Sequence, residues 1–179
     1  RKLVSFKEID SMARTCAYSP DGTTIAVGLG GRVGRGAGKK DGAFLILNEA
    51  DLNTLHEGRD SQQWISEIKF SPDGKTLALG SHDNNIYLYD VTHHFSKRTA
   101  FAKHNSYITH LDFTGDSQQM HSNCGAFELL FADVTTGSQI PAAAALKNAD
   151  WETWNCVLGW PVQGIWPEVP DGTDINAVD

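Results

Sequence analysis

The chain has 179 residues and a formal net charge of −7 at pH 7, and this acidic balance argues against a general nucleic-acid-binding protein, which needs a basic face for the phosphates. No stretch is apolar over the length that a bilayer crossing requires, and the first residues lack the apolar core of a signal peptide. The cysteines (Cys16, Cys124 and Cys156) have no paired spacing, which is typical of a reducing compartment, so we expect a cytoplasmic or cytoskeletal protein with neither nucleic acid nor membrane as a partner.

An alternating strand followed by Ser-Pro-Asp-Gly is the most regular pattern of the sequence. It occupies 17–22, returns at 69–74 and degenerates to Asp-Phe-Thr-Gly-Asp-Ser at 112–117. Proline presets the backbone of a tight turn and Asp-Gly tolerates the bends that follow, so each copy predicts a strand, a turn and a second strand. The copies recur at close to the period of WD-type β-propeller blades, which is roughly 40–45 residues with four short strands in each blade.

The sequence therefore predicts an all-β fold, in which three to four four-stranded blades belong to a larger WD-repeat β-propeller. We expect blades near 10–56, 57–102 and 103–147, and a divergent, Trp-rich blade over 148–179. A closed ring needs about four to eight blades, and a blade needs neighbours on both sides to bury its faces. We therefore expect this chain to be a segment of a longer protein, with the remaining blades of that protein among its partners.

Short apolar runs around the turns predict the individual strands. In the first blade the expected strands are 14–18, 24–27, 44–47 and 52–56. In the other two blades they are 65–70, 76–80, 86–90, 108–113 and 127–133. The Ala-rich run at 141–146 fits either a short helical turn or a loose outer strand.

A Gly-rich segment at 30–42, which we call the basic insertion, separates the second and third strands of the first blade. Its basic residues are Arg32, Arg35, Lys39 and Lys40. The glycines do not match a phosphate-binding loop, because the spacing needs glycine at 39 for one pattern and glycine at 33 for the other. A cationic loop of this kind can attract an acidic protein surface with salt sensitivity, which makes the four basic residues candidates for partner binding. The alternative is a solvated loop that merely tolerates insertion.

The residues that tie the strands of a WD blade together are only partly present. In well-formed blades a His, a Ser or Thr, an Asp and a Trp form a buried hydrogen-bond chain. The second blade has Ser81, Asp83 and Tyr89, the last in place of the tryptophan, but it lacks the histidine. The third blade has His104 and lacks the turn aspartate and the tryptophan. We interpret these four residues as structural, in atypical blades that are held mainly by packing.

A block of tryptophans follows the third blade. Trp151, Trp154 and Trp166 are interpreted as packing residues, since indole rings bury a large area. The pattern W-x-x-W-x-C-x-L-G at 151–159, with V-x-G-I-W-P at 162–167, resembles the echinoderm microtubule-associated protein-like family. The Ser-Pro-Asp-Gly copy at 69–74 resembles the same family but is shared by many propellers.

The resemblance implies a tandem pair of fused, atypical propellers in a microtubule-associated protein. It implies tubulin or microtubules as partners, together with other cytoskeletal or axonemal proteins, and a location on the microtubules of a spindle, cilium or axoneme. It indicates no microtubule-contacting residue that can be transferred to this sequence.

No pattern in the sequence predicts catalysis. The histidines and cysteines lack metal-ligand spacing, and no nucleophile elbow or kinase signature occurs. We therefore expect a non-enzymatic protein with no catalytic, metal or cofactor-binding residue. The leading hypothesis is a protein that binds the microtubule lattice through propeller surfaces. The alternative is a general WD-repeat interaction scaffold without direct tubulin contact.

Overall fold

The computed structural model describes residues 5–31 and 40–159, and within them eleven strands form three antiparallel sheets. The first sheet contains β1 (Ala13–Tyr18), β2 (Thr24–Leu29), β3 (Ala43–Asn48) and β4 (Thr54–Arg59). The second contains β5 (Ile65–Phe70), β6 (Thr76–Ser81), β7 (Ile86–Asp90) and β8 (Ser96–Phe101). The third contains β9 (Ile108–Phe113), β10 (Gln119–Cys124) and β11 (Leu129–Asp133). In each sheet the strands pair in sequence order, as expected for propeller blades.

The recurring turn has one geometry in all three sheets. In the second sheet the Ser71 hydroxyl donates to Asp73 at 2.6 Å and accepts from the Thr76 amide at 2.9 Å, so the side chains close the turn between β5 and β6. Gly74 takes a φ of 71°, which glycine adopts without strain. In the degenerate third copy Ser117 takes a φ of 63° at the same place, and its hydroxyl accepts from the Asp73 amide at 3.0 Å.

Glycines in the second strand of a sheet let the next sheet approach closely. A side chain at Gly28 would meet Ile65 at 2.7 Å, and one at Gly80 would meet Ile108 at 2.6 Å. The buried apolar residues accordingly form one cluster between the first and second sheets and another between the second and third. This packing fixes the order of the three sheets and the relative position of their loops.

The structure differs from the expected strands at a few positions. β4 begins at Thr54 and ends at Arg59, because Leu52 takes a φ of 58° and turns the chain before the strand starts. Phe127 takes a φ of 59° and lies in the loop before β11, so that strand begins two residues later than the expected 127. The sequence did not predict β8, whose first three residues are exposed and polar.

Two short 3-10 helices complete the described part of the chain, at Val91–His93 and Ala143–Leu146. The second occupies the Ala-rich run, which therefore forms a helical turn and not an outer strand. No helix among residues 5–31 and 40–159 is long and apolar enough to cross a membrane.

Candidate functional site

Loops from all three sheets meet at one end of the strands, which we call the loop end. It contains the two described ends of the basic insertion, the segments before β5 and β9, the β6–β7 turn and the β10–β11 loop. The Ser-Pro-Asp-Gly turns lie at the opposite end of the same strands, which we call the turn end.

A stack of side chains, which we call the aromatic ladder, crosses the loop end from the first sheet to the third. The Arg14 guanidinium lies 4.3 Å from the centre of the Trp64 ring. Trp64 stacks on His82 at 3.4 Å, and His82 stacks on Tyr107 at 4.4 Å. Burial, with a smaller contribution from Arg14, lowers the pKa of His82, so its ring is neutral at neutral pH. Tyr107 is 43% exposed at the end of the ladder, and Arg14 is exposed at its start.

The described ends of the basic insertion are anchored against this ladder. The Arg14 Nε donates to the Gly30 carbonyl at 3.0 Å, and a side chain at Gly30 would lie 2.6 Å from Trp64. The Gly31 amide donates to Asp41 Oδ1 at 2.7 Å, which brings the two ends of the insertion together. The described ends of the basic insertion and the aromatic ladder therefore belong to one surface.

Of the four candidate partner-binding residues, Lys40 is the one that the structure describes. Its ammonium lies 3.0 Å from Glu57 Oε1, and both side chains are partly exposed, so the pair contributes little to stability. Arg32, Arg35 and Lys39 lie outside the described residues.

In the second sheet, the hydrogen-bond chain at the loop end contains two residues that the sequence analysis did not single out. The Ser61 Oγ lies 2.6 Å from Ser81 Oγ and donates to Asp83 Oδ2 at 2.7 Å. The Tyr87 hydroxyl donates to the same carboxylate oxygen at 2.8 Å. Burial and this bond to Asp83 raise the pKa of Tyr87 to about 12. Burial raises the pKa of Asp83, but the hydrogen bonds from Ser61 and Tyr87 outweigh it and keep the carboxyl ionised at neutral pH.

Tyr89, which the sequence grouped with Ser81 and Asp83, has a different partner. Its hydroxyl donates to Asp60 Oδ2 at 2.9 Å, and its ring contacts Phe44 of the first sheet at 4.7 Å. Burial and the bond to Asp60 raise the pKa of this hydroxyl. Tyr89 thus ties the second sheet to the first, while Ser81 and Asp83 tie the strands within the second.

The third sheet uses other residue types at its loop end. His104 Nδ1 lies 3.2 Å from Glu128 Oε2, and the Cys124 thiol donates to the same oxygen at 3.1 Å. His104 Nε2 lies 2.7 Å from Ser122 Oγ. Burial lowers the pKa of His104, and Glu128 partly offsets that effect, so the ring is neutral at neutral pH. Because the carboxylate accepts, Nδ1 carries the imidazole proton and Nε2 accepts from Ser122.

The described part of the Trp-rich block packs on the face of the third sheet that is turned away from its apolar cluster with the second sheet. Trp151 is buried and stacks on His121 at 3.6 Å with the rings nearly parallel. The Trp154 amide donates to Asp112 Oδ2 at 2.7 Å, while Trp154 as a whole is 52% exposed. The Asn123 amide group donates to the Leu158 carbonyl at 3.0 Å and accepts from the Leu158 amide at 2.9 Å. Trp166 lies outside the described residues.

Charged residues also line a groove of about 390 Å³ along β1, β5 and β9, and the sequence analysis did not single them out. Lys69 Nζ lies 3.9 Å from Asp112 Oδ1, and Asp112 is fully buried. Because Asp112 also accepts from the amides of Thr153 and Trp154, this carboxylate anchors the Trp-rich block.

Antiparallel sheets that pair in sequence order and receive their neighbours at glycines form an arc of a WD-type β-propeller. The crystal structure of the RRP9 WD40 repeats supports this fold, with a TM-score of 0.65 and 16% identity over 75% of this chain and 39% of that chain. At this identity the similarity concerns the fold alone. The predicted all-β, propeller-type fold is confirmed.

The family follows from the sequence match. All of residues 1–179 match the family described as the echinoderm microtubule-associated protein second beta-propeller. Echinoderm microtubule-associated protein-like 2 of Rattus norvegicus is 41% identical over 177 residues, which cover 96% of this chain and 25% of that protein. The Homo sapiens protein of the same name is 42% identical over 175 residues, covering 95% of this chain and 25% of that protein.

The chain belongs to the echinoderm microtubule-associated protein-like family, as the tryptophan pattern predicted. Its match is to the second propeller of the family, a distinction that the sequence patterns did not make. The chain spans about a quarter of the length of the two relatives.

Proposed function

We propose that the protein containing this chain is a non-enzymatic, microtubule-associated protein, and that this propeller arc serves it as a docking surface for tubulin. The observation that carries the proposal is the family match over the whole chain, together with relatives whose names describe microtubule-associated proteins. A location on cytoskeletal microtubules, including those of a spindle or cilium, follows from the same proposal.

The loop end is the surface we assign to tubulin. It carries the basic insertion, whose four basic residues stand out in an acidic chain, and the aromatic ladder against which that insertion is anchored. An acidic protein surface would be attracted by the insertion, while the exposed Tyr107 and the guanidinium of Arg14 offer flat contacts beside it.

We also propose that the arc folds and works as part of a longer propeller protein. The two relatives are about four times as long as the stretch they share with this chain, which supports that arrangement. The remaining blades are then permanent partners within one polypeptide, whereas tubulin and other cytoskeletal or axonemal proteins are partners in trans.

Co-sedimentation with taxane-stabilised microtubules across a salt series tests the proposal. The intact protein is compared with a variant in which Lys39 and Lys40 are replaced by serine, and with the full variant that also replaces Arg32 and Arg35. The matched control replaces Lys75 and Lys147 by serine; these are two exposed lysines in segments outside the loop end, and their replacement removes the same charge as the first variant.

We expect salt-sensitive pelleting that weakens with each basic residue removed from the insertion and is unchanged in the Lys75/Lys147 control. Equal weakening in the control would assign the effect to net charge alone and contradict a role for the loop end. Absence of pelleting at every salt concentration would contradict direct tubulin binding. In that case a scaffold that recruits other proteins becomes the better account.

A further inference from the structure

The loop end of the third sheet holds three side chains with the donor atoms that transition metals prefer. They are the imidazole of His104, the thiol of Cys124 and the carboxylate of Glu128, and their ligand atoms all lie within 4.8 Å of one another. Nitrogen, sulfur and oxygen from these residue types are the ligands that Zn²⁺ takes in proteins. We propose that His104, Cys124 and Glu128 form a Zn²⁺-binding site.

The distances suit a tetrahedral ion with few changes. Ligand bonds of about 2.0–2.3 Å hold neighbouring ligand atoms about 3.3–3.8 Å apart in a tetrahedral site. Glu128 Oε2 already lies 3.2 Å from His104 Nδ1 and 3.1 Å from Cys124 Sγ. To admit the ion, these two separations would lengthen by a few tenths of an ångström. The remaining separation, between the His104 nitrogen and Cys124 Sγ, is within 4.8 Å and would come to the same tetrahedral range.

Neighbouring groups hold the ligands in place as the outer shell of a metal site does. Ser122 Oγ lies 2.7 Å from His104 Nε2 and directs the other ring nitrogen, Nδ1, towards Glu128. The Asn105 side chain donates to Glu128 Oε1, and the Asn105 amide donates to Oε2 at 2.9 Å. These hydrogen bonds hold the His104 ring and the Glu128 carboxylate in position before an ion binds.

The burial of the three residues fits a site with one open position. The His104 side chain is fully buried and Cys124 is 3% exposed, whereas the Glu128 side chain is 24% exposed. Three protein ligands leave a fourth position for water on the side of Glu128, where the site meets solvent. The ion would join the segment before β9 to the β10–β11 loop, two segments that carry Tyr107 and Phe127 at the exposed surface.

Binding of Zn²⁺ releases one proton from the protein to solvent. The Cys124 thiol loses its proton to solvent as the sulfur binds Zn²⁺. The imidazole proton moves from Nδ1 to Nε2, the Nε2–H group then donates a hydrogen bond to Ser122 Oγ, and Nδ1 binds the ion. Glu128 Oε2 exchanges two hydrogen bonds for one bond to the metal.

The test uses Co²⁺ as a spectroscopic substitute for Zn²⁺ on the intact protein, with a non-thiol reductant present. We expect a thiolate-to-cobalt charge-transfer band that saturates at one equivalent for this site and disappears in Cys124→Ser. The matched control is Cys16→Ser, which removes an exposed cysteine of the same chain and leaves the band unchanged. A band of equal intensity in wild type and Cys124→Ser would overturn the proposal.

A second variant keeps the test decisive if Cys124→Ser does not fold. Glu128→Gln retains a side-chain oxygen that can accept hydrogen bonds and alters a partly exposed residue, so we expect a folded protein. Its Zn²⁺ affinity, measured by competition with a chromogenic chelator, should fall at least tenfold. Unchanged affinity would mean that the three residues form a hydrogen-bonded cluster only, and the site would be rejected. Neither result depends on microtubule binding.

Discussion

The loop ends of the second and third sheets each hold three interacting side chains, two of them at matching positions, but build them from different atoms. Counting back from the first residue of the inner strand, Ser61 precedes Ile65 by as many residues as His104 precedes Ile108. Ser81 and Cys124 are both the last residue of the second strand and pair with Ile65 and Ile108, respectively. The carboxylate comes from Asp83 in one sheet and from Glu128 in the other.

The two sheets therefore share a structural role for these residues but differ in the donor atoms that perform it. In both sheets the three residues connect the segment before the inner strand to the following turn, which is a structural task. The second sheet performs this task with oxygen atoms alone, from Ser61, Ser81 and Asp83. Hard cations prefer oxygen ligands, but these three side chains carry a single negative charge and would bind such a cation poorly. The third sheet has nitrogen and sulfur, which is why the metal proposal applies to it and not to its neighbour.

The largest expected effect is on stability, and it distinguishes His104 from Ser61, the residues that precede the inner strands of the two sheets. His104→Ala removes a buried ring with two hydrogen-bonding nitrogens and should destabilise the protein by about 3 kcal/mol, whereas Ser61→Ala should cost about 1–2 kcal/mol. Native-state hydrogen exchange on the chelator-treated protein measures the loss of stability separately in the second and the third sheet. A loss of stability for Ser61→Ala that equals or exceeds that for His104→Ala would contradict the larger contribution assigned to the imidazole ring.

A somewhat smaller effect tests the close approach between the two sheets. In Gly80→Ala the added methyl would lie 2.6 Å from the Ile108 side chain, and displacing that branched residue should cost about 2 kcal/mol. Gly115→Ala is the matched control, because neither Gly80 nor Gly115 has a positive φ and the methyl added at Gly115 would meet its nearest atom at an ordinary 3.7 Å. Urea denaturation compares the two variants. An equal or larger loss for Gly115→Ala would contradict a packing role for Gly80.

The smallest expected effect concerns pH and the His121 side chain, which contacts Trp151. Burial lowers the pKa of His121 to about 4, and among the described residues neither ring nitrogen has a hydrogen-bond partner. The unfolded chain takes up this proton below about pH 6.5 but the folded chain does not until about pH 4, so stability is complete above pH 6.5 and falls as the pH drops towards 4. Between pH 7 and pH 5.5 this residue should account for roughly 1 kcal/mol of that loss.

His121→Phe keeps an aromatic ring against Trp151 and removes the titration, so its stability should fall less between pH 7 and pH 5.5 than that of the wild type. His94→Asn is the control, because His94 is exposed and takes a φ of 56°, which asparagine tolerates. Urea denaturation at the two pH values measures the slopes. Identical slopes for wild type and His121→Phe would mean that His121 is charged or solvated in the folded protein.

Local sequence chemistry was enough to predict the repeat. Ser-Pro-Asp-Gly encodes its turn through a fixed proline φ, a short side-chain hydrogen bond and a glycine at positive φ, and all three act within six residues. The same reasoning extended to the degenerate copy, where Ser117 adopts the conformation of Gly74. It did not extend to β8, whose exposed polar residues lack the alternation on which strand prediction depends.

The partners of the structural residues were less predictable, because they depend on register between distant segments. Tyr89 was grouped with Asp83 from its place in the repeat, yet Tyr87, two residues earlier, reaches that carboxylate. Ser61 was missed because a histidine was expected, although its position relative to Ile65 matches that of His104 relative to Ile108. Asp112 and Trp154 meet across 42 residues, and no pattern in the sequence indicates that contact.

The most direct test of the proposed docking surface is a cryo-electron microscopy reconstruction of microtubules decorated with the intact protein. We predict that the loop end of this arc, with the basic insertion and Tyr107, faces the tubulin lattice. A reconstruction in which the turn end faces the lattice, or in which the arc stands clear of it, would contradict the assignment of the loop end to tubulin.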